Sequence, residues 1–142
     1  DFATTPTFNL TISVTDNGTP TLTSTAQLTI NLTKISQPPV VDAGTFAVKT
    51  GATAGTVVGT VTSTDPDGGG PPVYTNVSNI STLRDAFVIN STTGVITTTQ
   101  SLLFVPPGVY DLSIRVADSL TPTLASTGTV KVQVNSTGVV VP

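Results

Sequence analysis

Apolar and polar residues alternate one for one along much of the chain. In "FNLTISV" Phe8, Leu10, Ile12 and Val14 alternate with Asn9, Thr11 and Ser13, the period-2 pattern of a strand with one buried face. "QLTINLT" repeats it with Leu28, Ile30 and Leu32, and "GTVKVQVN" with Val130, Val132 and Val134. Thr and Val, the commonest residues, are β-branched and fit a pleated surface. Gly and Pro clusters such as "DPDGGGPP" (65–72) and "VPPG" (105–108) punctuate the strands. No window shows a helical stripe, so the pattern predicts an all-β chain.

The pattern also repeats. "LTISVTDNGTPTLTST" (10–25) overlies "LSIRVADSLTPTLAST" (112–127) without a gap, 102 positions apart, and residues 8–32 share ten identities with 110–134. A period near ~100 residues is that of a seven-stranded sandwich in tandem array. Residues 1–35 then correspond to the last two strands of an incomplete sandwich, 36–137 to a complete one and 138–142 to a linker toward a next repeat. Within the complete repeat, strands are expected near 45–49, 56–63, 73–77, 86–90, 94–99, 109–117 and 127–135. A two-stranded hairpin alone leaves its apolar face wet. Its missing strands are expected from a longer tandem chain or, by strand addition, from a neighbouring copy.

Composition narrows the chemistry. The 142 residues hold no Cys, His or Glu; eight Asp against five Lys and Arg give a net charge of −3. Without His or Cys the Ser-His-Asp, Cys-His and zinc–water arrangements cannot be assembled from this chain. No Asp stands in a context that suggests a raised pKa, and the chain reads as non-enzymatic. The charge excludes a basic nucleic-acid footprint. No apolar run approaches the ~18 residues of a membrane-spanning helix, and residue 1 opens no signal sequence. A mature chain, or a piece of a longer one, is expected.

The segments "AGTVVGTVTSTDPDGG" (54–69), "FVINSTTGVITT" (87–98) and "YDLSIRVAD" (110–118) together resemble the cadherin-like repeat, a relative of other immunoglobulin-like repeats. The resemblance covers 36–137 and, through the hairpin, 1–35. It implies a seven-stranded Greek-key sandwich used in extracellular adhesion, with calcium stiffening the junctions between repeats. Asp65 and Asp67 match the family's Asp-x-Asp turn, and Asp118 its Ala-Asp strand end, so the resemblance implies that the three converge at one end of the domain. The early-strand Glu and the Asp-Arg-Glu segment of the family have no counterpart, and "LTKISQPPVVD" replaces its acidic linker. Ca²⁺ takes 6–8 oxygen ligands. Three aspartates, or four with Asp42, make an incomplete calcium site, and no cofactor is expected to be required. Pro38-Pro39 instead favour a short, semi-rigid spacer between sandwiches.

All seven asparagines, Asn9, Asn17, Asn31, Asn76, Asn79, Asn90 and Asn135, begin Asn-X-Ser/Thr with X not Pro. Ser and Thr make up about three residues in ten, so seven unselected asparagines would all comply roughly once in several thousand tries. They read as N-glycosylation acceptors, with Pro20 lowering the expected use of Asn17. Charged residues are only 9% of the chain and mean hydropathy is +0.29, so attached sugars would supply surface hydration that charge does not. The sequence therefore predicts a structural segment of an extracellular, N-glycosylated filament or stalk, its partners being copies of itself or neighbouring repeats. A calcium-assisted, cadherin-like adhesion module is the alternative. A spacer or carbohydrate-binding repeat is less favoured, since no Trp and only Tyr74, Tyr110 and five Phe are available for stacking on sugars.

Overall fold

A computed structural model describes residues 5–142; the first four residues of the expected hairpin segment lie outside the described residues. The chain divides into two compact units, residues 1–35 and 36–142.

The first unit is one antiparallel hairpin of β1 (Thr7–Thr15) and β2 (Thr23–Asn31). Strict alternation puts Phe8, Leu10, Ile12, Val14, Leu28 and Ile30 on one face and Thr, Ser, Asn and Gln on the other. Phe8, Ile12, Leu28 and Ile30 are 41–47% exposed, so the apolar face is largely uncovered. The Asp16 carboxylate closes the turn by accepting the backbone N–H groups of Gly18 and Leu22 at 3.0 and 2.9 Å. These two bonds, Leu22 first, hold its pKa below the ordinary value.

The second unit is a sandwich. Its strands are β3 (Val40–Val41), β4 (Thr45–Lys49), β5 (Val57–Thr60), β6 (Ser63–Thr64), β7 (Pro72–Asn76), β8 (Phe87–Ile89), β9 (Val95–Thr98), β10 (Gly108–Asp118) and β11 (Ala125–Asn135). One sheet runs β4-β11-β10-β7 and the other β5-β9-β8, with a short β3-β6 ladder. The two principal sheets hold the seven expected strands, and β4 lies parallel to β11. Leu112, Ile114, Val116, Val130 and Val132 on the long hairpin, with Phe87 and Ile96 from the facing sheet, are essentially solvent-free and form the core.

Three local features depart from the sequence pattern. The expected strand 56–63 breaks in two: β5 pairs with β9, and β6 pairs with β3. Between them Val61 N–H bonds to Gly94 O and the Thr62 carbonyl takes Asp42 N–H. Gly94 has φ +72°, and a β-carbon there would strike the Val61 carbonyl, so both the backbone twist and the close approach require glycine. Residues Ser81–Ala86 form one turn and a half of helix, α1, burying Leu83 and Ala86. At six residues it is too short for a hydrophobic period to show. A 3-10 turn over Gln100–Phe104 buries Leu102.

At the start of β10, Tyr110 donates its hydroxyl to the Pro106 carbonyl at 2.7 Å, the tyrosine corner of Greek-key sandwiches. The stretch 138–142, expected as a linker, folds back on β11: Gln133 bonds the Val141 N–H and C=O through its amide at 2.8 and 2.9 Å.

Candidate functional site

The turn Asp65–Gly70 is built by its own sequence. Pro66 fixes φ, Asp65 Oδ1 accepts the Asp67 N–H at 3.0 Å, and Gly68 takes φ +67°. The pairing of Asp118 with Pro72 across β10 and β7 brings the end of β10 beside this turn. There Asp118, 5% exposed, accepts the N–H groups of Gly70 and Leu120 on Oδ1 at 3.1 and 2.7 Å. Hydrogen bonding with the Asp67 side chain, then with its backbone N–H, holds the Asp65 carboxyl below its ordinary pKa.

Gly69 lies where two carboxylates meet. A methyl group there would fall inside contact distance of both Asp65 Oδ2 and Asp118 Oδ2. Asp65 Oδ2 is buried and, among the described residues, has no hydrogen-bond partner, a costly state for an acceptor. The structure thus brings Asp65, Asp67 and Asp118 to one end of the sandwich.

Asp42 does not join them. Its two oxygens accept the hydroxyls of Thr62 and Thr64 at 2.8 and 2.9 Å, which ties the end of β3 to β6. Asp67 Oδ2 accepts the Gln37 N–H at 2.9 Å. The segment expected as a semi-rigid proline spacer is therefore docked onto the second unit. Pro39 is buried, its carbonyl accepts the Ser126 hydroxyl, and Val41 packs where Gly128 leaves room. These tethers were not legible in the sequence, because two of them use backbone groups at residues 37 and 39, which carry no side-chain signature.

Most of the oxygens that the family resemblance assigns to calcium are engaged within the protein. Asp42, Asp67 Oδ2 and Asp118 Oδ1 already serve protein donors. Among the described residues no group of three or more His, Cys, Asp or Glu is placed to hold a metal ion. The unpartnered Asp65 Oδ2 beside Asp118 Oδ2 supplies two oxygens toward the 6–8 that Ca²⁺ takes.

The sequons divide by environment. Asn9, Asn17, Asn31, Asn79 and Asn90 are exposed, whereas Asn76 and Asn135 are half-buried. The Asn76 amide donates to Phe87 O at 2.9 Å and accepts both the N–H and the hydroxyl of Ser78. The Asn135 amide donates to Val139 O and accepts the Thr137 and Gly138 N–H groups.

Comparison with known proteins agrees with this fold. The family model of the cadherin domain matches residues 44–135. Mouse protocadherin Fat 4 is 35% identical over 133 residues, 91% of this chain and 3% of that protein. Rat cadherin-23 is 35% identical over 128 residues, 87% of this chain and 4% of that protein. Among solved structures, extracellular cadherin domains 1–4 of protocadherin gamma B7 align with TM-score 0.71 and 26% identity, covering 95% of this chain and 34% of that one. The chain thus spans only a few per cent of the length of these two curated relatives.

Proposed function

Because the chain belongs to the cadherin-domain family, whose domains are extracellular adhesion modules, we propose that it is a tandem-repeat segment of a cell-surface adhesion protein. In this reading residues 36–137 form one complete repeat and the β1-β2 hairpin is the closing hairpin of another. The observation that carries it is identity of register. Leu10 pairs with Leu28 as Leu112 pairs with Val130, and Phe8 with Ile30 as Tyr110 with Val132, each 102 positions on. The turns correspond as well: Asp16 N–H bonds Leu22 O at 2.9 Å and Asp118 N–H bonds Leu124 O at 3.0 Å.

The same side chains differ in cover. Leu112, Ile114 and Val116 are 0% exposed, whereas Leu10, Ile12 and Val14 are 47–66% exposed. A face of that composition is stable only when strands equivalent to β4 and β7 flank it and a facing sheet lies over it. Copies of the chain or neighbouring repeats are the partners this implies. No helix among the described residues is long and apolar enough to cross a membrane.

Beads coated with the native surface protein test the adhesion reading: mutual aggregation supports it. The uncovered hairpin also favours a second reading, a filament or stalk closed by strands passed between copies. Dispersed beads, with long fibres in the same preparation, would replace adhesion by that structural role.

A further inference from the structure

The seven sequons are chemically alike, yet the fold uses their amides in two ways. Asn9 Oδ1 accepts the Thr29 hydroxyl at 2.9 Å and Asn31 Oδ1 accepts the Thr7 hydroxyl at 3.2 Å. Asn90 Oδ1 accepts the Thr92 and Thr93 N–H groups at 3.0 and 2.9 Å. In all three the oxygen is held, the residue is exposed, and Nδ2 makes no hydrogen bond among the described residues. Asn17 and Asn79 are exposed in turns.

Asn9 and Asn31 are diagonal neighbours on the polar face of the hairpin, since Asn9 pairs with Thr29 and Asn31 with Thr7. That face is opposite the apolar stripe. Sugars there would coat the outside of the repeat and leave the apolar side free for other strands.

Asn76 and Asn135 are the reverse case. Nδ2 of each is committed to a carbonyl, Phe87 O and Val139 O, both at 2.9 Å. The acceptor hydroxyl of the first sequon is also inside: Ser78 is 2% exposed, and its Oγ takes the Ser113 N–H at 3.1 Å. The Asn76–Ser78 pair thus ties β7 to β8 and β10 as an internal bracket. A glycan on Asn76 Nδ2 would sit at the seam between β7 and β8, beside a half-buried amide that already bonds Phe87 O and Ser78.

We propose that the mature protein carries N-linked sugar on Asn9, Asn31, Asn79 and Asn90, at lower occupancy on Asn17 before Pro20, and none on Asn76 or Asn135. The transfer needs a polyprenyl-phosphate-linked oligosaccharide as donor. The sugar C1–O bond to phosphate breaks, the C1–Nδ2 bond forms, and one amide proton leaves to the transferase base, with no change of oxidation state. Sugar added at Asn76 before folding prevents the bracket from closing, so such chains do not enter the mature pool. The inference requires the extracellular location of cadherin domains and is independent of adhesion.

The test is peptide mass spectrometry of protein isolated from its source, cut with elastase because Lys and Arg are sparse. Sugar mass on the exposed acceptors with bare Asn76 and Asn135 is expected. Bare exposed acceptors, or Asn76 and Asn135 occupied as fully as Asn9, would overturn the proposal. As a second readout, Thr11→Ala and Thr33→Ala should each remove one glycan from the secreted protein. Thr137→Ala, which removes an exposed sequon hydroxyl, should change its mass by the substitution alone, and loss of a glycan there would overturn the assignment of Asn135.

Discussion

Ile12 and Ile114 occupy the same place in the two copies of the hairpin, and replacing each by Ala separates local pattern from tertiary cover. Ile114 is 0% exposed, paired with Gly128 and inside the sandwich core. Losing its side chain beyond Cβ removes about three buried carbons at ~0.8 kcal/mol each and leaves a cavity. The cost is about 3–4 kcal/mol. With a urea slope of about 1.5 kcal/mol/M, the unfolding midpoint falls by about 2 M. Ile12 is 47% exposed, so the same change loses about half the transfer term and opens no cavity, roughly 1 kcal/mol at most, and only within the hairpin. Tyrosine fluorescence reads the second unit alone, since the two tyrosines are Tyr74 and Tyr110 and there is no Trp. In the isolated chain Ile114→Ala should shift that transition by about 2 M and Ile12→Ala should leave it in place. Equal shifts, or a loss below about 1 kcal/mol for Ile114→Ala, would refute the reasoning.

Further outcomes follow from the same contacts. Tyr110→Phe removes the bond to Pro106 O and should cost about 1 kcal/mol in the same urea assay. Gln37→Pro deletes the N–H that Asp67 accepts; faster amide exchange at Val40 and Val41 with little change in the sandwich midpoint is expected. Millimolar Ca²⁺ should raise the thermal midpoint by less than about 1 °C, because two free oxygens hold the ion too weakly for mass action to matter; a rise near ~10 °C would show a complete site. Asp65 has its folded pKa lowered by the Asp67 side chain and backbone. Its contribution is full above the ordinary carboxylate value, about 3.9, and is lost as pH falls through the lower folded value. With no His in the chain, stability should be flat from about pH 5 to 8 and decline below about pH 4, less steeply in Asp65→Asn.

The strands and the sandwich were legible because the period-2 alternation of Leu112, Ile114, Val116 and Val130–Val134 coincides with full burial. The repeat was legible because identical spacing imposes identical register. What escaped the pattern depends on contacts distant in sequence. The short helix at Ser81–Ala86 is fixed by burial of Leu83 and Ala86 rather than by a stripe of its own. The segment "ISQPPV" reads as a short, semi-rigid extended spacer, yet Pro39 is buried and Ser126, 87 positions later, donates to its carbonyl. Asp65, Asp67 and Asp118 were marked by their motif, and the structure does gather them. That Asp42 would serve two threonines and Asp67 a backbone N–H was not, since a carboxylate's partner is set by the tertiary neighbour. The sequons behave likewise: Asn9 and Asn76 both begin Asn-X-Ser/Thr, and only the tertiary neighbours decide that Asn9 is exposed while the Asn76 amide bonds a carbonyl.

The central claim, that the hairpin is one face of a repeat completed by other strands, is tested most directly by cryo-electron microscopy of the source-purified assembly. The account predicts backbone density flanking β1 and β2 on both edges, with a facing sheet over Phe8, Leu10, Ile12, Leu28 and Ile30. A hairpin that remains two-stranded in the assembly, with solvent against those side chains, would contradict it.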